Sequence, residues 1–188
     1  VYRAELDNEL LTFIVNPALG IPAATFNAGP TVHQGIEAGL DWRFAQGFLG
    51  GGWRLRQTYT YSDFFFEGDP AYGDNELPLV PPHQYRAELR YDHPSGWFIA
   101  PSVETTPSDT WVDYANTLKA PGYTVTSLNA GWTVNDQVSL FIDVRNLTDE
   151  RYVSNFGAVT DARVASTAVF WPGDGRSAHR GEGHGREQ

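Results

Sequence analysis

The sequence predicts an all-β protein, an antiparallel transmembrane β-barrel sheet of about seven or eight strands. Three observations predict it. Segments with a side-chain period of two recur along the whole chain, each with one apolar and one polar or charged row. The connections between them alternate short and long without exception. No apolar run approaches the ~20 residues that a membrane helix requires, so a chain that crosses a bilayer must do so with strands, which satisfy one another's backbone groups.

The clearest segment runs from Val138 to Tyr152. Val138, Leu140, Ile142 and Val144 share one face, and Ser139, Phe141, Asp143 and Arg145 the other. Six more candidates precede it. Tyr2, Ala4 and Leu6 alternate with Arg3, Glu5 and Asp7. Ile36, Ala38, Leu40, Trp42 and Phe44 alternate with Gly35, Glu37, Gly39, Asp41 and Arg43. Trp53, Leu55, Tyr59 and Tyr61 alternate with Arg54, Arg56, Thr58 and Thr60. Tyr85, Ala87, Leu89 and Tyr91 alternate with Arg86, Glu88, Arg90 and Asp92. Trp97, Ile99 and Val103 oppose Phe98, Ser102 and Glu104, and Tyr123 to Trp132 alternates less cleanly.

Gln46–Gly51, His93–Gly96 and Asn135–Asp136 are short connections; residues 14–31, 63–82, 106–122 and 149–174 are long. An up-and-down barrel, with tight turns on one rim and long loops on the other, produces this order. Trp42, Trp53, Tyr61, Tyr85, Tyr91, Trp97, Tyr123 and Trp132 fall near strand ends, where amphipathic rings form interfacial girdles. The charged rows, with Arg54, Arg56, Arg86, Glu88, Arg90, Asp143 and Arg145, then face the lumen, because a basic side chain on the lipid face costs ~2–4 kcal/mol at the midplane. Their mixed signs read as a structural wall that seats a plug rather than as a selectivity device.

The formal net charge of -10 argues against nucleic-acid binding, which needs a basic surface. The chain has no cysteine, which excludes disulfides, thiolate metal sites and cysteine nucleophiles. It has no methionine and no visible secretory signal, and its first residues already read as strand, so a piece of a longer chain is expected. There is no G-x-S-x-G, H-E-x-x-H or P-loop. No catalytic residue and no cofactor is therefore expected. His33, His83 and His93 sit beside turns or strand entries and read as structural. Asp63, Glu67, Asp69, Asp74 and Glu76 crowd one loop, an oxygen density that suits Ca²⁺ but lacks EF-hand spacing and equally describes a solvated acidic loop. His179 and His184 with Glu182 and Glu187 have poor metal-site spacing, and Asp109, Asp113, Asp161 and Asp174 are too scattered to define a site, so no metal is assigned.

Asn146-Leu147-Thr148-Asp149-Glu150-Arg151-Tyr152 resembles the N-L-[FT]-D-x-x-Y element that follows an apolar strand near the end of TonB-dependent outer-membrane receptors. Asn and Asp make local side-chain-to-backbone turns there, and Tyr packs back at the rim. Thr31-Val32-His33-Gln34-Gly35-Ile36-Glu37 is similar to the family's T-x-x-x-G-x-E strand, Leu77–His83 to its L-P-x-x-P-x-H strand entry, and Pro121-Gly122-Tyr123-Thr124 to its P-G-Y-T segment. The resemblance implies that residues 1–176 are the C-terminal part of a plugged barrel of about 22 strands. It implies an outer-membrane transporter embedded in lipid, an iron chelate such as a ferric siderophore as ligand, and energy from the TonB complex acting through an N-terminal plug region. On that reading Phe65, Asp69, Trp111 and Tyr114 are the outer-loop candidates for ligand contact.

Residues 177–188 depart from the family, whose chain continues into an alternating strand with an aromatic end. Here the tail is polar and Gly-rich without a period of two, and it is expected to be disordered. Two other readings compete: a free-standing eight-stranded barrel with a structural or adhesion role, and a soluble β-sandwich binding module. The first needs a closing strand, and the second predicts no segregation of loop lengths.

Overall fold

The computed structural model describes residues 1–16, 21–164, 169–173 and 177–184. Eight strands form one antiparallel sheet, and there is no α-helix among the described residues. They are β1 (Tyr2–Leu6), β4 (Thr31–Phe44), β5 (Gly52–Phe66), β6 (His83–Asp92), β7 (Trp97–Thr106), β10 (Tyr123–Thr133), β11 (Val138–Arg145) and β14 (Ser177–His184), neighbours in that order. Three hairpins lie outside the sheet: β2 (Leu10–Asn16) with β3 (Ile21–Asn27), β8 (Thr110–Trp111) with β9 (Lys119–Ala120), and β12 (Val153–Gly157) with β13 (Val169–Pro172).

The register carries the alternation across the sheet. Trp42 faces Leu55, which faces Leu89, while Asp41 faces Arg56, which faces Glu88. Val103 faces Thr126, and Leu128 faces Val144. One face is therefore apolar from β4 to β11. Ile36, Leu40, Trp42, Ile99, Trp132 and Ile142 are each at least 40% exposed on it, and no part of the described chain covers them. A soluble sandwich would bury such a face under a second sheet. The order also runs open, with β1 and β14 at opposite ends, so the eight strands do not close on themselves. Both competing architectures are overturned.

The turns 45–51, 93–96 and 134–137 lie at one end of the sheet, and the long connections with all three hairpins at the other. Strand β5 has 15 residues, which at ~3.3 Å each is roughly 50 Å, well beyond the ~9–11 residues that cross a bilayer. Its surplus and that of β4 rise into the loop layer, and the buried core sits there. Ala28, Phe66, Leu77, Tyr114 and Ala158 form it, with Phe13, Phe26 and Tyr72 packed around them.

This placement corrects the reading of β1. Tyr2, Ala4 and Leu6 share the face of Gly35, His33 and Thr31, the inner face, and Arg3 and Glu5 point outward. Arg3 Nη1 donates to Gln34 Oε1 at 2.7 Å, and Gln34 Nε2 to Asp63 Oδ2 at 2.7 Å. Above the membrane the outer face meets water, so the polar row belongs outside and the apolar row under the loops. The Tyr2 ring lies against Gly35, where a Cβ would stand 2.6 Å from the Tyr2 hydroxyl oxygen and 2.2 Å from the Tyr61 carbonyl oxygen.

Contrary to its reading as a girdle residue, Tyr123 pairs with Thr106 on the inner face and its ring lies tilted against Tyr152 at 4.4 Å. Of the tail, Ser177–His184 pairs residue for residue with β11, from Arg145↔Ser177 to Val138↔His184, and residues 185–188 lie outside the described residues. The outer edge of β11 offers a row of N–H and C=O groups, and a polar segment meets that demand with its backbone whatever its side chains.

Candidate functional site

The loop layer is built on buried carboxylates and amides. Asp113 is fully buried and accepts hydrogen bonds from the Leu118 and Ala162 amides at 3.0 Å each, from the Thr117 amide at 2.8 Å, and from the Thr117 hydroxyl. Burial alone would push its carboxyl up, but these four donors outweigh it and hold the group below the usual aspartate range. Asp69, 9% exposed, accepts from the Gly29, Ala71 and Tyr72 amides at 2.8–3.0 Å. Its carboxyl is likewise held low by those donors against burial. Asp161 is held at about 2 by the side chain and amide of Arg163.

Amides link one loop to the next. Asn116 Nδ2 donates to the Glu76 carbonyl and its Oδ1 accepts from the Glu76 amide, both at 2.9 Å. Asn75 Nδ2 donates to the Tyr114 carbonyl at 2.9 Å. The Tyr114 hydroxyl reaches the Thr12 carbonyl in β2 at 2.8 Å, and burial raises that phenol far above its ordinary value. The Ile14 amide donates to the Ala158 carbonyl at 2.8 Å. Four connections thus form one cross-linked layer.

The four ligand candidates are not brought together. Tyr114 is 4% exposed, packed edge-on to Phe26 at 5.2 Å, and Asp69 has its oxygens occupied by backbone donors. Both hold loops in place, and neither presents a surface to a ligand. Phe65 is half-buried on the outer face of β5, opposite Val32. Trp111 is half-buried with the Lys119 ammonium 4.1 Å from its ring centroid. Of the acidic residues expected in one loop, Asp63 lies within β5 and is engaged by Gln34, and Asp74 accepts from the Gly68 amide at 2.8 Å. No cluster of metal-binding side chains forms among the described residues.

The charged row lines the other face of the sheet. Arg54 donates to Asp41, its Nε at 2.6 Å, and Arg56 lies 3.8 Å from Asp41 and 3.6 Å from Glu88. Arg90 pairs with Asp92 at 2.7 Å and lies over the Phe98 ring at 3.7 Å; Arg145 pairs with Asp143 at 3.2 Å. Arg86 faces Glu104 in register. A depression of about 470 Å³ crosses β6, β7, β10 and β11 on this face, lined by Arg86, Glu88, Glu104, Asn129, Asp143 and Arg145.

The Asn146 element closes β11. Asn146, 1% exposed and at φ 50°, accepts the Glu150 amide at 2.8 Å and donates to the Glu150 carbonyl at 2.9 Å. Asp149 also has a positive φ, and the Leu147 amide donates to the Thr126 carbonyl of β10 at 2.7 Å, leaving Leu147 half-exposed. The Tyr152 ring lies tilted against that of Tyr123, 4.4 Å between centroids, and packs back at the rim. Asn116 and Asn75 carry the layer without any sequence signal, since each acts on a partner distant in the chain, and Asp113 adds the distant Ala162 amide to its near neighbours Thr117 and Leu118.

This combination of an open antiparallel sheet, apolar outside and ion-paired inside, capped by a cross-linked loop layer at one rim, defines a segment of a large outer-membrane barrel. The family model described as TonB dependent receptor-like, beta-barrel, matches residues 1–147, and the chain belongs to that family. Among similar solved structures is the ferric yersiniabactin uptake receptor FyuA from Yersinia pestis, at 23% identity and TM-score 0.67, covering 85% of this chain and 24% of that one. The siderophore receptor PiuA from Acinetobacter baumannii gives 22% identity and TM-score 0.68 over 94% of this chain and 24% of that one. The copper transporter OprC gives 20% and 0.68 over 96% of this chain and 27% of that one. The chain thus spans about a quarter of the length of these structures, which share its fold and carry different cargo.

Proposed function

We propose that the chain is part of an outer-membrane active transporter of a Gram-negative bacterium, which captures a ferric siderophore or similar iron chelate and imports it with TonB-coupled energy. The observation that carries this reading is the family match over residues 1–147 on a sheet whose inner face carries a row of paired charges from β4 to β11. Within the transporter, these strands supply barrel wall, and the ion-paired row with Arg54, Arg56, Arg86, Glu88, Arg90, Asp143 and Arg145 seats the plug. Phe65 at the end of β5 and Trp111 in β8 are the candidate side chains left to meet a ligand. The outer-membrane lipid surrounds the apolar face, and the parent binds no nucleic acid, performs no catalysis and needs no resident cofactor. The test is uptake of radiolabelled iron chelates, and of copper, by cells carrying or lacking the complete gene. Chelate uptake that disappears without TonB supports the reading; uptake of copper alone, or uptake indifferent to TonB, overturns it.

A further inference from the structure

Of the three short turns, two are polar at their tips, with His93, Pro94 and Ser95 in one and Asn135, Asp136 and Gln137 in the other. The third is not. Between β4 and β5 the chain reads Gln46-Gly47-Phe48-Leu49-Gly50-Gly51, and Phe48 and Leu49 are 59% and 68% exposed. A tip standing in water should not carry two such side chains.

The turn is bent toward the apolar face and pinned there. Ala45, Gly47, Leu49 and Gly50 all have positive φ, which curls the segment tightly. The Tyr91 hydroxyl donates to the Leu49 carbonyl at 2.7 Å, and Gly51 lies where a Cβ would stand 2.6 Å from that same Tyr91 ring. The Phe48 ring lies 6.4 Å from Trp53. Trp53 belongs to an unbroken row of rings on the outer face: Trp42 with Phe44 at 4.7 Å, Phe44 with Trp53 at 6.5 Å, Trp53 with Tyr91 at 4.8 Å, and Tyr91 with Trp97 at 5.2 Å. The Trp53 indole N–H is buried with no hydrogen-bond partner among the described residues. Sealing a donor this way is costly where water is the alternative, and much less so where the alternative is hydrocarbon.

The geometry points to the 46–51 turn as a membrane-inserted anchor: Phe48 and Leu49 extend the aromatic row into the headgroup and acyl boundary of the adjoining leaflet. This rests on the proposed outer-membrane barrel. The occupant is lipid, because the tip is continuous with the lipid-facing row and carries no charge.

The test uses the complete receptor reconstituted in phosphatidylcholine vesicles, with Phe48→Cys, Leu49→Cys, Asp136→Cys and Ile142→Cys each spin-labelled in turn. Collision rates with oxygen, which partitions into lipid, are compared with those of a water-soluble nickel chelate. The expected result is an oxygen-to-nickel ratio at positions 48 and 49 several-fold above that at 136 and approaching that at 142. A water-like ratio at 48 and 49 overturns the anchor. So does exclusion of both reagents, which means a protein surface covers the turn. A water-like ratio at 142 instead overturns the barrel reading on which the anchor rests.

Discussion

At the scale of single residues, the motif that identifies the chain is a device for ending a strand. Asn146 meets two needs at once, a left-handed φ and a partner for both polar groups of Glu150. Replacing Asn146 by Ala leaves buried groups unpaired and should cost about 1–3 kcal/mol, read as an earlier loss of the heat-resistant folded band on electrophoresis of the complete receptor. Gly35 acts by absence. Gly35→Ala puts a methyl on the Tyr61 carbonyl, and the strain, about 1–3 kcal/mol, should appear in the same assay. Both residues were legible in the sequence as members of motifs, but their reasons were not, because a φ and a close approach are properties of the folded backbone. The ligand candidates fared differently. An aromatic ring or a carboxylate in a long loop looks the same in sequence whether it faces a ligand or a neighbouring loop, and Tyr114 and Asp69 face loops.

At the scale of elements, the membrane-crossing parts of β4 to β11 were legible because lipid on one side and water on the other impose a period of two. That contrast fails above the membrane. There β2 pairs with β3 and turns Leu11 and Phe13 to the loop core while Leu10 and Val15 stay exposed; its apolar run carries no polar alternation, so the sequence marks no strand at 10–13 and only a long connection over 14–31. The loop layer depends on ionised aspartates. Asp69 and Asp113 have depressed folded values, so their contribution is fully present above the usual aspartate value of about 4 and is lost as pH falls through the folded ones. Pepsin should therefore cut loops 67–82 and 107–122 faster as pH drops below about 4, while the strands stay protected. Asp113→Asn turns one acceptor into a donor aimed at other donors and should loosen the same loops at neutral pH, read by hydrogen exchange. Equal exchange in variant and parent would show that the layer does not hang on Asp113. Tyr114→Phe removes only the tether to Thr12 and should cost about 1 kcal/mol, against about 3–5 for Tyr114→Ala, which also empties the core position.

At the scale of the whole molecule, the decisive fact is that eight strands make a sheet with two free edges, β1 and β14, and a face that is mainly apolar and uncovered from β4 to β11. Hydrocarbon tolerates neither an unpaired row of backbone groups nor an open sheet, and water does not tolerate the apolar face. The polar tail illustrates the pull of such an edge: it pairs with β11 over eight residues although Ser177, His179, Gly181 and Gly183 on one row and Ala178, Arg180, Glu182 and His184 on the other offer no lipid-facing row. Pairing satisfies the β11 backbone, yet the sequence of the segment supplies no apolar row of the kind a lipid-facing strand needs. The structure thus separates two demands that most barrel strands meet together. It follows that the 188-residue chain, directed to the outer membrane without the rest of the barrel, should not yield a heat-modifiable, protease-resistant band, whereas the complete receptor should. In the complete receptor, giving positions 178, 180, 182 and 184 an apolar row should raise the yield of that band, since hydrogen bonding along β11 is already in place and only the lipid contact is missing. A stable, heat-modifiable product from the isolated chain would mean that its edges find partners in a second copy, and would replace the single large barrel with an assembly of sheets.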